Sequence, residues 1–335
     1  MKQGATRLFL LLYGGPVAPK KFALFLAAGT VLVTGCSSLN STAQPDGTAS
    51  PQPEPSVRAI PKVPTDRLQV TRPLDEYVPD AADDTALKQA EAKVVNRCLR
   101  DLGHRQHPLD EDAVAEAEPN IYEFLWFPEA AKKGYSLPPE GPEKGSWDDT
   151  ATQTEKKLLS GKMATYKGHR VPKDGCYGEA GRELTEGASP PRKFEEQGMV
   201  ITRVSDASPR GLIESYVSVI RQTLSLQIQK DSRIERVISD WSACMKSDGY
   251  TYASPSEAAT DSRWQTSTGK GPSKAETATA TADMACKKQV RYLDVVVAVE
   301  SAYEQRYIGQ HAEQMKEFLG LRDKWRKNAE RITGA

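Results

Sequence analysis

The chain has 335 residues, and 45 basic side chains balance 45 acidic ones for a formal net charge of zero at pH 7. That balance argues against nucleic acid as a partner, because such binding depends on neutralising phosphates. The length allows one or two domains with a real core. No Gly-rich phosphate loop, nucleophile elbow or paired helical metal motif occurs, so no cofactor, metal ligand or catalytic residue is assigned.

Residues 1–35 read as a signal peptide. Lys20 and Lys21 precede an apolar run from Phe22 to Val33. The run is too short to cross a hydrocarbon core of about 30 Å as a permanent helix, and it matches the charged and apolar parts of a secretory signal. It ends in Val33-Thr34-Gly35-Cys36. This tetrapeptide resembles the lipobox of bacterial lipoproteins, whose cysteine receives a diacylglyceryl group and becomes the new N-terminus. The resemblance makes Cys36 the lipid-attachment residue and the bilayer a partner. Each buried methylene contributes about 0.8 kcal/mol, so two acyl chains hold a protein stably on a membrane. The expected location is outside the cytoplasm, anchored to the cell membrane by lipid. The opening "MKQGATRLFLLLYGGP" fits this scheme poorly, and a GTG start codon at Val17 would account for it.

Residues 36–80 are rich in Ser, Thr, Pro, Gln and Asp, with few and scattered apolar side chains. This predicts a disordered tether. Two helical halves follow, 81–187 and 188–335. In the first, Asp83-Asp84 is the expected N-cap. Leu87, Ala90, Val94, Cys98 and Leu102 recur at helical spacing, and Gly103 stops the run. Residues 149–160 form a second helix stopped by Gly161, and a basic loop comes next.

In the second half, "MVITRV" within the mixed stretch 188–207 reads as a short strand. Ser208-Pro209 opens a helix with Ile213, Tyr216, Val217, Ile220 and Leu224 on one face. Ser232 with Glu235 forms a capping box for a helix presenting Ile234, Val237, Ile238, Trp241, Cys244 and Met245. Gly249 stops it. Ser273 to Glu276, another capping box, opens a proline-free run to the end. That run predicts about fifty residues of helix, bent near Gly309 or Gly320, its first part on the Cys244 helix and its end projecting beyond the body.

Beyond Cys36 stand Cys98, Cys176, Cys244 and Cys286. An even number of thiols outside the membrane reads as a disulfide framework. With no CxxC pair and no zinc-like histidine spacing, metal binding is the weaker reading. The segment from Cys98 to His104 aligns with that from Cys244 to Tyr250, and Phe127–Ala131 echoes Ser254–Ala259. This degenerate internal repeat selects Cys98 with Cys176 and Cys244 with Cys286. The expected fold class is mainly α, with two disulfide-stapled halves and a long C-terminal helix behind the signal peptide and linker. The elements "WxxCM…GY" (Trp241 to Tyr250) and "ADxxCK…ExxY" (Ala282 to Tyr303) are similar to those of the helical four-cysteine lipoproteins of actinomycetes. That resemblance implies location and helical fold, with no activity attached.

Three clusters are candidate sites. His104, His107 and Asp110 offer metal or proton-transfer chemistry, but they follow a helix end where polar loops are ordinary. Tyr122, Phe124, Trp126 and Phe127 would suit a stacking face for sugar or peptide, and a buried turn explains them more simply. Glu300, Tyr303, Glu304, Tyr307 and His311 form a polar stripe on the last helix, read as a solvated face. The expected function is a non-enzymatic binding or structural module of the cell envelope, its partner a cell-wall component or another exported protein. The alternative is an extracellular hydrolase acting on a cell-wall component through residues distant in sequence. A transporter's solute-binding subunit would alternate strands and helices, which this chain does not.

Overall fold

The computed structural model describes residues 52–64, 70–104, 108–115, 122, 126–135, 150–203, 205–207, 209–264 and 271–334. The signal segment and Cys36 lie outside these residues. The described part is mainly helical, and its only sheet structure is two short antiparallel hairpins.

Helix α1 spans Ala81–Asp101. Its N-cap is Asp80, whose carboxylate accepts from the N–H groups of Ala82 and Asp83. The cap therefore lies before the expected Asp83-Asp84, because Asp80 is the residue with extended backbone. Short α2 (Ala130–Lys133) and α3 (Gln153–Ser160) follow. In α3 Thr152 and Glu155 form a reciprocal capping box, and left-handed Gly161 ends it. Strands β1 (Thr165–Tyr166) and β2 (His169–Arg170) form a hairpin where a basic loop was expected. Helix α4 (Gly175–Leu184) precedes β3 (Lys193–Glu196) and β4 (Met199–Thr202). The strand seen in "MVITRV" thus stops at Thr202. Its partner "KFEE" carries no apolar alternation in the sequence, with Phe194 alone among three charged residues. Helix α5 (Pro209–Ile228) buries all five residues expected on its inner face.

Helix α6 spans Ser232–Ser247, and its cap is Asp231, which accepts from the Arg233 N–H. Ser232 is occupied elsewhere, so the expected Ser232–Glu235 box does not form. Helices α1 and α6 end alike. Gly103 and Gly249 take φ of 72° and 87°. Behind them His104 N–H reaches Leu99 C=O at 2.8 Å, and Tyr250 N–H reaches Met245 C=O at 2.9 Å. This is the Schellman arrangement, which needs a residue without a Cβ at the left-handed position. The internal repeat is real at this level, with each cysteine one turn before the helix end. The second cysteines are not equivalent. Cys176 opens α4, whereas Cys286, beyond the short α7 (Pro255–Ala259), sits in the last turn of α8 (Lys274–Gln289).

Both expected pairings form. Cys98–Cys176 joins α1 to α4 with Cα atoms 5.6 Å apart, and Cys244–Cys286 joins α6 to α8 at 5.7 Å.

The expected single C-terminal helix is three: α8, α9 (Tyr292–Gln310) and α10 (Ala312–Thr333). One break, at His311, lies near Gly309 as expected, and the other falls at neither glycine. Arg291 takes φ of 56°, a left-handed conformation that costs a non-glycine residue about 1–2 kcal/mol. Burial of Tyr292 and Leu293 just beyond it, both 2% exposed, offsets this. His311 makes the second break, and α10 then lies against α1 instead of projecting. Met315, Phe318, Leu321, Trp325 and Ala329 are its buried face. Trp325 Nε1 donates to Ala188 C=O, and Asn328 Nδ2 to Leu184 C=O, at 2.9 and 2.8 Å.

The main core draws on both expected halves, with Leu87, Ala90, Trp126 and Phe127 packed in one cluster with Tyr216, Trp241 and Phe318. A smaller core of Val94, Leu99, Leu158, Leu159, Val171 and Ala180 surrounds Cys98–Cys176. The boundary at 187/188 therefore does not separate two cores. No helix among the described residues is long and apolar enough to cross a membrane.

Replacing Cys98 and Cys176 together by Ala should lower the unfolding free energy by about 4 kcal/mol. Replacing Cys244 and Cys286 should cost slightly less, because their loop spans 42 residues against 78. Urea titration of both variants checks the order, and a reversed order would show that loop closure does not govern it.

Candidate functional site

The stripe on α9 is where the structure departs furthest from the sequence reading. Glu300, Tyr303, Glu304 and Tyr307 are buried, Glu304 to 2% exposure. A carboxylate sealed from water needs a compensating charge and hydrogen bonds. The N-terminal segment expected to be a disordered tether supplies them. Residues 52–64 and 70–80 lie on the body; the rest of 36–80 is outside the described residues.

The clasp is built around Leu74, which is fully buried and whose N–H donates to Glu304 Oε2 at 2.9 Å. Pro73 opens a 3₁₀ turn, Pro73–Tyr77, where a proline suits the first position because it has no N–H to lose. Arg72 enters beneath it, 3.6 Å from Glu304 and 3.9 Å from Glu300. The Tyr122 hydroxyl donates to Glu300. From α5, Arg221 Nε donates to Glu304 at 3.1 Å and its other end pairs with Asp75. Burial works to lower the Arg72 pKa, but Glu300 and Glu304 outweigh it and raise it. Burial raises the Glu304 carboxyl pKa against the pull of Arg221, Arg72 and the Leu74 N–H.

Further upstream the strap is held by its backbone. Proline-rich chain offers carbonyls with few N–H groups, and arginines meet them. Arg306 donates to Pro53 C=O at 2.6 Å, Arg233 to Pro55 C=O at 2.9 Å and Arg291 to Ile60 C=O at 3.2 Å. Glu54 accepts from Ser232 N–H and Oγ at 2.6 and 2.8 Å. The Val63 N–H donates to Asp294 Oδ1 at 2.8 Å.

At the other end of α9, Glu196 of β3 accepts from the hydroxyls of Tyr307 and Tyr216 at 2.7 and 3.2 Å. His311 stacks on Tyr307 with ring centroids 3.9 Å apart. A third buried group lies beside the second disulfide. There Asp283 accepts from Trp241 Nε1 and Lys287 Nζ, both at 2.8 Å, and burial raises its pKa.

The other expected clusters do not assemble as sites. His104 is turned inward by the Schellman exit and meets Glu155 at 2.8 Å. Asp110 is exposed and accepts from the Asp112 N–H in its own turn. His107 and Phe124 lie outside the described residues. Tyr122, Trp126 and Phe127 are core residues. Sulfurs of Cys244 and Cys286 lie near the Asp248 carboxylate, but as a disulfide they offer no thiolate. A surface groove of about 450 Å³ is lined by Tyr250, Tyr252, Arg263, Ala275, Ala278 and Thr279, with Arg263 held by Asp261.

Sequence reasoning missed Arg72, Arg221, Asp75, Asp294 and Glu196. The one available signal was the stripe itself. Its Glu and Tyr residues recur at spacings of three and four, on a helix otherwise rich in valine.

Glu304→Ala would leave the Leu74 N–H without its acceptor, Arg72 with only Glu300 and Arg221 with only Asp75, and should cost about 3–5 kcal/mol. Hydrogen exchange should show the Leu74 amide losing protection. Asp294→Ala should expose the Val63 amide and leave Leu74 protected. Unchanged exchange in both variants would mean apolar contacts alone hold the strap. A second expectation concerns alkali. Burial and Asp231 push the Tyr303 hydroxyl up to about 12, and burial also raises Tyr122 and Tyr307. Unfolded tyrosine titrates near pH 10, so this stabilisation is complete below pH 10 and is lost as pH rises from there toward 12. Melting temperatures between pH 9 and 11.5 should fall, less steeply in Tyr303→Phe.

Against protein-family models, curated proteins and solved structures the chain finds no match, so its function is argued from these residues.

Proposed function

We propose that this chain is an extracytoplasmic lipoprotein, held on the outer side of a membrane by a diacylated Cys36. Its helical body is a non-enzymatic binding or structural module of the cell envelope, with a cell-wall component or another exported protein as partner. The observation that carries the reading is the pair of disulfides, each joining two helices across a long connection. Such bonds persist in oxidising compartments, and the apolar run ending at Cys36 supplies the route there. Within the described residues no helix offers a membrane span, so a lipid would be the means of attachment.

The strap adds a physical consequence. Because the body holds the chain from Pro53 onward, the lead from Cys36 to the body reaches at most about 60 Å when fully extended. A tether running to residue 80 would reach about 150 Å. The clasp keeps the body close to its membrane. Glu304 meets the chain's own Arg221 and Leu74 amide, and Tyr122 and Tyr307 its own Glu300 and Glu196, as in a network that rigidifies a body.

Mass spectrometry of the N-terminal peptide from membrane-extracted protein should show Cys36 carrying two acyl chains. Cys36→Ala should move the protein out of the detergent-rich phase, into the medium or into an unprocessed form. An unmodified Cys36 thiol in the membrane fraction would overturn the proposal.

A further inference from the structure

Away from the clasp, α4, the base of the β3–β4 hairpin and the approach to α5 bring four cations onto one carboxylate. Arg192 lies 3.2 Å from Asp206, Lys173 and Arg203 each 3.6 Å, and Arg182 4.0 Å. The second carboxylate in direct reach is Asp174, whose Oδ2 accepts from the Asp206 N–H at 3.3 Å. Glu179 and Glu183 of the same helix are turned to Arg97 of α1. Positive charge therefore exceeds negative charge at this point. Burial works to raise the Asp206 pKa, yet Lys173, Arg192 and Arg203 outweigh it and hold the carboxyl below its usual range.

Two features separate this cluster from an ordinary surface ion pair. The Arg203 side chain is only 9% exposed, and its Nε–H has no hydrogen-bond partner among the described residues. A buried guanidinium donor left unmade is uncommon and costs free energy. By contrast, Lys173 and Arg192 are 75% and 62% exposed, so these two cations are open to an incoming anion. The loop is also seated firmly. A Cβ on Gly181 would come within 2.1 Å of the Asp206 carbonyl oxygen, so only glycine lets the loop lie against α4.

We propose that this cluster is a binding site for a phosphoryl oxyanion. Arg192 and Arg203 present forked N–H donors matched to the oxygens of a tetrahedral anion, and Lys173 adds a point charge. Asp206 is the internal counter-anion that occupies the cations between ligands. The same chemistry serves the headgroup of an anionic phospholipid or a soluble phosphorylated molecule.

The test uses the full-length chain carrying Cys36→Ala, so that no acyl anchor contributes and the outcome is independent of how Cys36 is read. Inorganic pyrophosphate is titrated by calorimetry at low ionic strength, where the interaction is least screened. Flotation is measured with vesicles of phosphatidylcholine alone and with phosphatidylglycerol added. The double variant Lys173→Ala, Arg192→Ala removes two exposed side chains and should keep the parent melting temperature while weakening pyrophosphate at least tenfold, about the worth of one charged hydrogen bond. Asp206→Asn should tighten it, whereas a purely structural Asp206 would change only the melting temperature. Pyrophosphate binding without flotation assigns a soluble ligand; both together assign the lipid headgroup. If the parent binds neither probe, or the double variant binds as the parent does, the proposal is wrong.

Discussion

The fold turns on the desolvation of two glutamates on one helix. Glu300 and Glu304 are almost sealed from water in the middle of the protein, and a buried carboxylate is tolerated only with charges and donors already in place. Arg72 and the Leu74 amide come from a segment more than two hundred residues earlier, and Arg221 comes from α5. The arrangement ties the N-terminal strap, α5 and α9 into one unit. Its two acids raise the Arg72 pKa in spite of the burial that works to lower it. Glu304 carries the raised proton affinity of a partly compensated group.

The covalent staples lie in or against the two hydrophobic cores. Cys98–Cys176 sits in the smaller core, and Cys244–Cys286 fastens α6 to α8 beside the buried Asp283–Lys287 pair. The two halves share a motif more than a fold. In both, a cysteine one turn before a Schellman glycine sets the exit of a helix, but the second cysteine opens a helix in one half and nears the end of one in the other. Packing ignores the division, since α10 lies along α1 and the aromatic turn 126–127 packs into the main core.

The strap also shapes the functional proposal. A proline-rich chain presents a row of carbonyls with few competing N–H groups, and Arg306, Arg233 and Arg291 answer them one by one. The same segment would be the lead to a lipid-bearing Cys36. Holding it down, through many modest polar contacts, would cap the distance between such a lipid and the body at the length of that lead.

Composition and spacing by themselves determined the helical class, the inner faces of α5 and α6, the glycine exits of α1 and α6 and the disulfide pairing, because each depends on a short-range pattern. Helical periodicity, a left-handed residue and a repeated cysteine context are all written within a turn or two of chain. The tertiary structure alone decided that 52–64 and 70–80 are bound, that the proline-free C-terminal run breaks at Arg291 and His311, and that the polar stripe of α9 faces inward. A Glu–Tyr stripe looks the same whether water or a distant arginine will solvate it. What chooses between them is a partner supplied from far along the chain, and no local pattern records it.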